Sequence, residues 1–214
     1  MTTILAPYMH WAKTLQASRF NLANSGLAAA PRSLLPFTLD DIELSGQSYY
    51  GWAPLQAALA RHLRVPESSV VHATGTSGAN HLVMSLLLEP GDDVIIEQPT
   101  YELLTATAGH TGARILRLPR RVENGFLPDP GELRRLLTPR TRLVVLTNLH
   151  NPSSARLSPD LIRELASACA QVGASLLIDE VYLDAAAMDG PISGIGDAQS
   201  SFSLADNILV TSSL

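Results

Sequence analysis

The sequence predicts an α/β protein built on a largely parallel sheet, preceded by an N-terminal arm. From residue 70 onward, short apolar runs of strand length alternate with stretches of helix length, the order a parallel sheet with crossover helices requires. Two of those runs, Arg142-Leu143-Val144-Val145-Leu146-Thr147-Asn148 and Leu176-Leu177-Ile178-Asp179-Glu180-Val181-Tyr182, end abruptly in polar groups. A run of this kind is a buried strand that delivers an amide, an acid and a phenol to one end of the sheet, where open α/β sheets receive ligands.

Composition sets the bounds. The chain has 214 residues, 46% hydrophobic and 16% charged, the profile of a globular soluble protein of one large domain or one and a half ordinary ones. A net charge of −5 without basic runs argues against nucleic acid or an anionic membrane as main partner and favours small molecules. The one cysteine, Cys169, forms no internal disulfide and falls in a helical pattern with Leu161, Ile162 and Leu165, as a buried inert thiol. The N-terminus lacks a basic leader and no apolar run reaches membrane-span length, so a cytoplasmic location is expected.

In chain order, residues 1–45 read as an arm and residues 46–214 as one domain. The arm carries an amphipathic piece near Trp11 to Phe20, then loops broken by Pro31 and Pro36, and is expected to pack on another domain or subunit. Leu55, Leu59 and Leu63 share one face of a helix. Residues 70–74 read as a short strand, and Gly75-Thr76-Ser77-Gly78 as the turn before a helix over about residues 79–88. Free N–H groups and two hydroxyls at that helix start make an anion site with phosphate as its natural occupant. His81 has no second ligand at metal spacing, so no metal is expected.

A strand over residues 93–97 opens into Gln98-Pro99-Thr100-Tyr101, and another covers residues 113–118. The arginine-bearing passage that follows reads as a sheet edge or solvated face. A short amphipathic helix over residues 132–137 leads to the strand ending at Asn148. The strand ending at Asp179 is followed by a loop with Gly190, Gly194 and Gly196, then by a last strand over residues 208–211.

His150-Asn151-Pro152-Ser153, Asp179-Glu180-Val181-Tyr182, Pro99-Thr100-Tyr101 and Thr76-Ser77-Gly78 together resemble the class I/II aminotransferases, pyridoxal-phosphate-dependent enzymes of fold type I. The resemblance covers roughly residues 20 to 214. It implies a three-layer sheet domain that binds pyridoxal 5'-phosphate, with amino-acid and 2-oxo-acid substrates and a homodimeric assembly. By the same resemblance, Asp179 bonds the pyridine nitrogen and keeps it protonated, Asn151 and Tyr182 donate to the phenolic oxygen, and Tyr101 stacks on the ring. Thr76, Ser77 and Ser213 would hold the phosphate, and the backbone of Gly26 would approach the substrate carboxylate. Glu180 is expected to be structural, and His150 to serve as a neighbour of Asn151 instead of a base. Position 46, often a tyrosine in the family, is glycine here, and Tyr49 or Tyr50 is a candidate substitute.

Lys13 is the only lysine in the sequence and reads as a surface residue of the arm. In the family, the Schiff-base lysine follows an S-x-[ST]-K turn after a strand, and this sequence stops at Leu214, just short of that position. The expectation is therefore a truncated chain, inactive alone and poorly soluble, without the later strand and the C-terminal domain that grips the substrate carboxylate. Two other readings stand beside it. One is a different reaction on the same scaffold, a β-lyase or a cyclase. The other is a lysine-free remnant that binds the cofactor without catalysis.

Overall fold

The computed structural model describes residues 6–14, 19–20, 31–42, 45–46, 51–183 and 200–213. Its centre is a five-stranded sheet in the order β2-β1-β3-β4-β5, every pair parallel. The strands are β1 (Asp93–Gln98), β2 (Arg114–Pro119), β3 (Thr141–Thr147), β4 (Ser175–Asp179) and β5 (Ile208–Thr211). The helices are α1 (Pro7–Thr14), α2 (Ala53–Leu63), α3 (Gly75–Leu87), α4 (Glu102–His110), α5 (Pro130–Leu136) and α6 (Pro159–Ala170).

Alternation along each strand feeds two cores. Ile95, Val144, Leu146, Leu176 and Ile178 pack with Leu133 of α5 and Ile162, Leu165 and Cys169 of α6. Val94, Ile96, Leu143, Val145 and Leu177 point the opposite way, toward Met84 of α3 and Leu104 and Ala108 of α4. Helices on both faces explain why the middles of the central strands are apolar on both sides. Each fully buried aliphatic side chain contributes roughly 1.5–3 kcal/mol relative to exposure. Asp93 pins the opposite end of the sheet, accepting Nε and a terminal N–H of Arg114 at 2.8 Å each and the Thr138 hydroxyl at 2.6 Å.

The strand order matters for the site. The chain passes from β1 outward to β2, then back past β1 to β3, so the connections that leave β1 and β3 diverge. A crevice opens at such a switch point, outside the carboxyl ends of the strands.

Three expectations need correction. Residues 70–73 are not a strand, because a strand requires a ladder partner. They face β5 across a cavity of about 390 Å³ lined by Val70, Val71, Phe202 and Val210. The following helix begins four residues early, at Gly75, whose φ of +67° turns the chain so that Thr76, Ser77 and Gly78 form the first helical turn. The arm helix spans Pro7–Thr14, and Phe20 lies beyond it, exposed. That helix packs on α4 of the same chain, where the Glu102 carboxylate accepts the N–H of Met9 at 3.0 Å and of Tyr8 at 3.4 Å. A carboxylate there satisfies free N–H groups and complements the helix dipole. Lys13 lies on that helix, exposed as expected. Glycines 190, 194 and 196 fall outside the described residues.

Candidate functional site

Three strand ends converge. β1 runs into Pro99-Thr100-Tyr101, β3 into residues 148–154, and β4 into Asp179-Glu180-Val181-Tyr182. The N-terminus of α3 brings in Thr76 and Ser77. Among the sequence-predicted residues, Ser77, Tyr101, Asp179 and Tyr182 are drawn into one cluster: the Tyr101 phenol lies near Ser77 and within electrostatic reach of Tyr182, Asp179 and Tyr8. Burial pushes that phenol above its ordinary value, and the neighbouring Tyr182 adds to the rise.

Asp179 closes β4 and is 5% exposed. One carboxylate oxygen accepts from the Asn80 side-chain amide at 2.8 Å, and the other from the Val181 N–H at 3.1 Å. Asn80 in turn accepts the Thr211 hydroxyl at 2.7 Å. Burial raises the Asp179 carboxyl, and the bonds from Asn80 and Val181 oppose that rise. Glu180 points elsewhere: it accepts from the Ser200 hydroxyl at 2.9 Å and the Ser201 N–H at 2.8 Å, anchoring the segment that leads into β5. Its structural role is as expected.

The start of α3 is built for an anion. Thr74, at the cap position, makes no side-chain capping bond. The Thr76 hydroxyl, one residue into the helix, is buried without a partner among the described residues. Buried hydroxyls are ordinarily satisfied, and an orphan costs about 1–3 kcal/mol. Uncapped N–H groups beside an orphaned hydroxyl match the donor set a phosphate needs. A second orphan, the Thr100 hydroxyl, lies next to Tyr101. The residues present therefore fit pyridoxal phosphate, with a phosphate cradle at α3, an aromatic at the β1 end and a carboxylate at the β4 end.

Asn151 is held by its backbone. Its N–H donates to the Thr147 hydroxyl at 2.9 Å, which donates at 2.6 Å to Glu97. Glu97 is fully buried and ion-paired with Arg120, whose side chain is equally buried. Burial pushes the Glu97 carboxyl up to about 7, against the pull of Arg120 and Thr147. Of the two readings of the arginine-bearing segment, the sheet edge holds, since β2 is an edge strand, and the solvated face fails at Arg120, which runs inward from the end of β2 to hold the β1 and β3 ends together.

His150 is no base. Its Nε2 lies 3.0 Å from the Pro99 carbonyl and its Nδ1 2.6 Å from the Ser153 hydroxyl. A carbonyl only accepts, so Nε2 carries the proton and Nδ1 accepts from Ser153. Burial holds the imidazole neutral, down to about 4. His150 thus ties the Tyr101 loop to the Asn151 loop. Three cis peptide bonds, Gln98–Pro99, Asn148–Leu149 and Asn151–Pro152, lie in these two loops.

Ser213 lies in the exposed stretch after β5, and its neighbour Ser212 donates to the Glu180 carbonyl at 3.2 Å. Gly26, Tyr49 and Tyr50 lie outside the described residues. Sequence reasoning missed Asn80, Glu97, Arg120 and Thr147. The only signal for Asn80 was its spacing from Thr76 and Ser77, which places it one turn further on the same helix. No cluster of metal-ligating side chains occurs among the described residues. None of the described helices is long and apolar enough to cross a membrane.

Comparison with known proteins places this arrangement. The profile of the family described as aminotransferase class I and II matches residues 28–214. Arginine–pyruvate transaminase AruH of Pseudomonas aeruginosa is 36% identical over 162 residues, which is 71% of this chain and 41% of that protein. Capreomycidine synthase of Streptomyces vinaceus is 37% identical over 147 residues, 68% of this chain and 38% of the synthase. The crystal structure of a PLP-dependent aminotransferase from Streptococcus suis superposes with a TM-score of 0.71 at 30% identity, covering 82% of this chain and 45% of that one. The chain thus spans about two fifths of the length of the curated relatives it matches.

Proposed function

Because this chain belongs to the aminotransferase class I and II family, we propose that it is the cofactor-binding part of a pyridoxal-phosphate-dependent aminotransferase, moving an amino group between an amino acid and a 2-oxo acid. The single observation that carries the reading is the convergence of Ser77, Tyr101, Asp179 and Tyr182 beside the orphaned Thr76 hydroxyl. When bound, pyridoxal phosphate supplies an electron sink for a carbanion at the substrate α-carbon.

The chain's own residues do the rest. Thr76, Ser77 and the first N–H groups of α3 hold the phosphate, with Ser213 reaching it from the end of β5. Asp179 holds a proton on the pyridine nitrogen, because a carboxylate within bonding distance favours the cationic ring. Tyr101 covers the ring face and excludes water from it. Asn151 and Tyr182 donate to the phenolic oxygen. Gly26 belongs to the substrate side. A cytoplasmic homodimer, with residues 1–45 as arm and 46–214 as cofactor domain, completes the reading.

The test is equilibrium binding of pyridoxal 5'-phosphate to this chain, followed by its absorbance, with Asp179→Ala and Tyr101→Ala beside it. Micromolar binding that both substitutions weaken supports the reading, and binding indifferent to both sinks it. A second reading is kept because one relative matched as closely as the transaminase is named a synthase. It is another reaction, a β-lyase's or a cyclase's, on the same cofactor residues. Product analysis of the whole protein with candidate amino acids separates the two, since transamination alone yields a 2-oxo acid from one substrate and an amino acid from the other.

A further inference from the structure

Asn80 is 3% exposed on the inward face of α3, where a buried amide must satisfy both ends. Its Nδ2 meets Asp179 and its Oδ1 meets Thr211. An ionised carboxylate only accepts, so the amide must present its NH₂ to Asp179. The Thr211 hydroxyl then supplies the proton that Oδ1 needs. Each partner fixes the next, and three elements, α3, β4 and β5, lock one amide orientation.

We infer that Asn80 is a positioning residue that orients the Asp179 carboxylate and keeps it ionised, with Thr211 holding Asn80 in the required flip. The inference rests on the reading that Asp179 faces the cofactor's ring nitrogen. Without Asn80, one buried carboxylate oxygen loses its side-chain donor, and of the donors among the described residues the Val181 N–H alone still favours the charged form. Among the described residues, the groups that face the carboxylate from the packed elements supply no replacement charge. Asn80 and Thr211 are neutral, Tyr101 is a phenol, and the adjacent Glu180 is another acid, coupled to Asp179 and itself raised by burial. Because Asn80 shares its helix with Thr76 and Ser77, the same rigid element that would receive the phosphate also sets the acid at the far end of the ring.

The experiment follows the Asp179 side-chain carbon by NMR in the full chain labelled at aspartate, across a pH titration, with the resonance assigned by Asp179→Asn. Asn80→Leu is expected to move the Asp179 midpoint up by about one pH unit or more. Thr211→Val, which keeps the shape and removes only the hydroxyl, is expected to move it the same way by less. Pyridoxal 5'-phosphate binding, measured alongside, should weaken about tenfold in Asn80→Leu and recover in part in Asn80→Gln. A lower melting temperature with an unmoved Asp179 midpoint in either variant overturns the inference and leaves Asn80 as packing. If Asn80→Leu does not fold, Thr211→Val decides by the same readout. If the unmodified chain fails to bind pyridoxal phosphate while the midpoint still moves, the functional reading falls and the role of Asn80 toward Asp179 stands.

Discussion

His150 donates through Nε2 to the carbonyl of Pro99, 51 residues upstream and 3.0 Å away, and by that bond joins the loop after β1 to the loop after β3. The two loops carry the aromatic and the amide that are proposed to meet the cofactor. His150→Leu should therefore loosen both at once. It should lower stability by about 1–3 kcal/mol for the acceptor left unsatisfied and weaken pyridoxal phosphate binding by about tenfold. Denaturant melts and absorbance titrations check the two effects separately.

The same imidazole and Glu97 give the chain opposing pH dependences. His150 is neutral down to about 4 in the folded protein, against an ordinary 6.5. The folded state thus binds fewer protons than the unfolded one between those values, and the stability this contributes is complete above 6.5 and lost as pH falls toward 4. Glu97 titrates near 7 instead of 4.5, so the folded state holds an extra proton in that window and its contribution declines as pH rises from 4.5 to 7. The two slopes oppose each other over most of the same range. His150→Gln removes one of them, and its unfolding free energy should fall from pH 4.5 to 7 by on the order of 2–3 kcal/mol. Urea melts at half-unit pH steps make the comparison.

Thr76→Val should act with opposite signs on fold and function. The hydroxyl it removes is buried without a partner among the described residues, so the free chain should be unchanged or gain up to about 1 kcal/mol. The same change deletes a phosphate donor, and pyridoxal phosphate affinity should drop about tenfold. Pyridoxal without the phosphate should bind both forms equally. A variant that loses stability and affinity together would mark Thr76 as packing.

Gly51→Ala should be among the more damaging surface-loop changes. Gly51 has φ +120°, and a Cβ there would sit 2.1 Å from Nδ1 of His72. Strain and collision together should cost about 2–4 kcal/mol. Gly91→Ala is the control: its φ is also positive, at +101°, but no atom of the described residues lies within 4 Å of the added Cβ. A thermal melt that ranks the two equally would remove the collision from the account.

The strand ends were legible in the sequence because burial and chemistry coincide there. A run such as Leu176-Leu177-Ile178 has no reason to stop at Asp179 unless the sheet ends at it. What was not legible depended on partners remote in sequence. Arg120 follows a strand whose other arginines are partly or largely solvated, and its burial is made tolerable by Glu97, 23 residues away, with the Phe126 and Thr147 carbonyls also accepting from its guanidinium. Asn80 reads as an ordinary polar residue of a helix until Asp179, 99 residues on, is seen to need it. Residues 70–74 have the β-branched composition of a strand, but composition cannot supply a neighbour to pair with. The start of α3 was misplaced because glycine and serine read as turn, whereas here they fill the first turn of a helix.

Cys169 is the chain's only thiol, fully buried on the inner face of α6, with its pKa pushed up to about 12. Reactivity requires thiolate and access, and the folded protein offers neither. An alkylating reagent can therefore reach this sulfur only when the layer of α5 and α6 parts from the sheet. Its labelling rate times that layer's opening, so the intact mass of an otherwise unlabelled protein becomes a clock for its excursions from the native state.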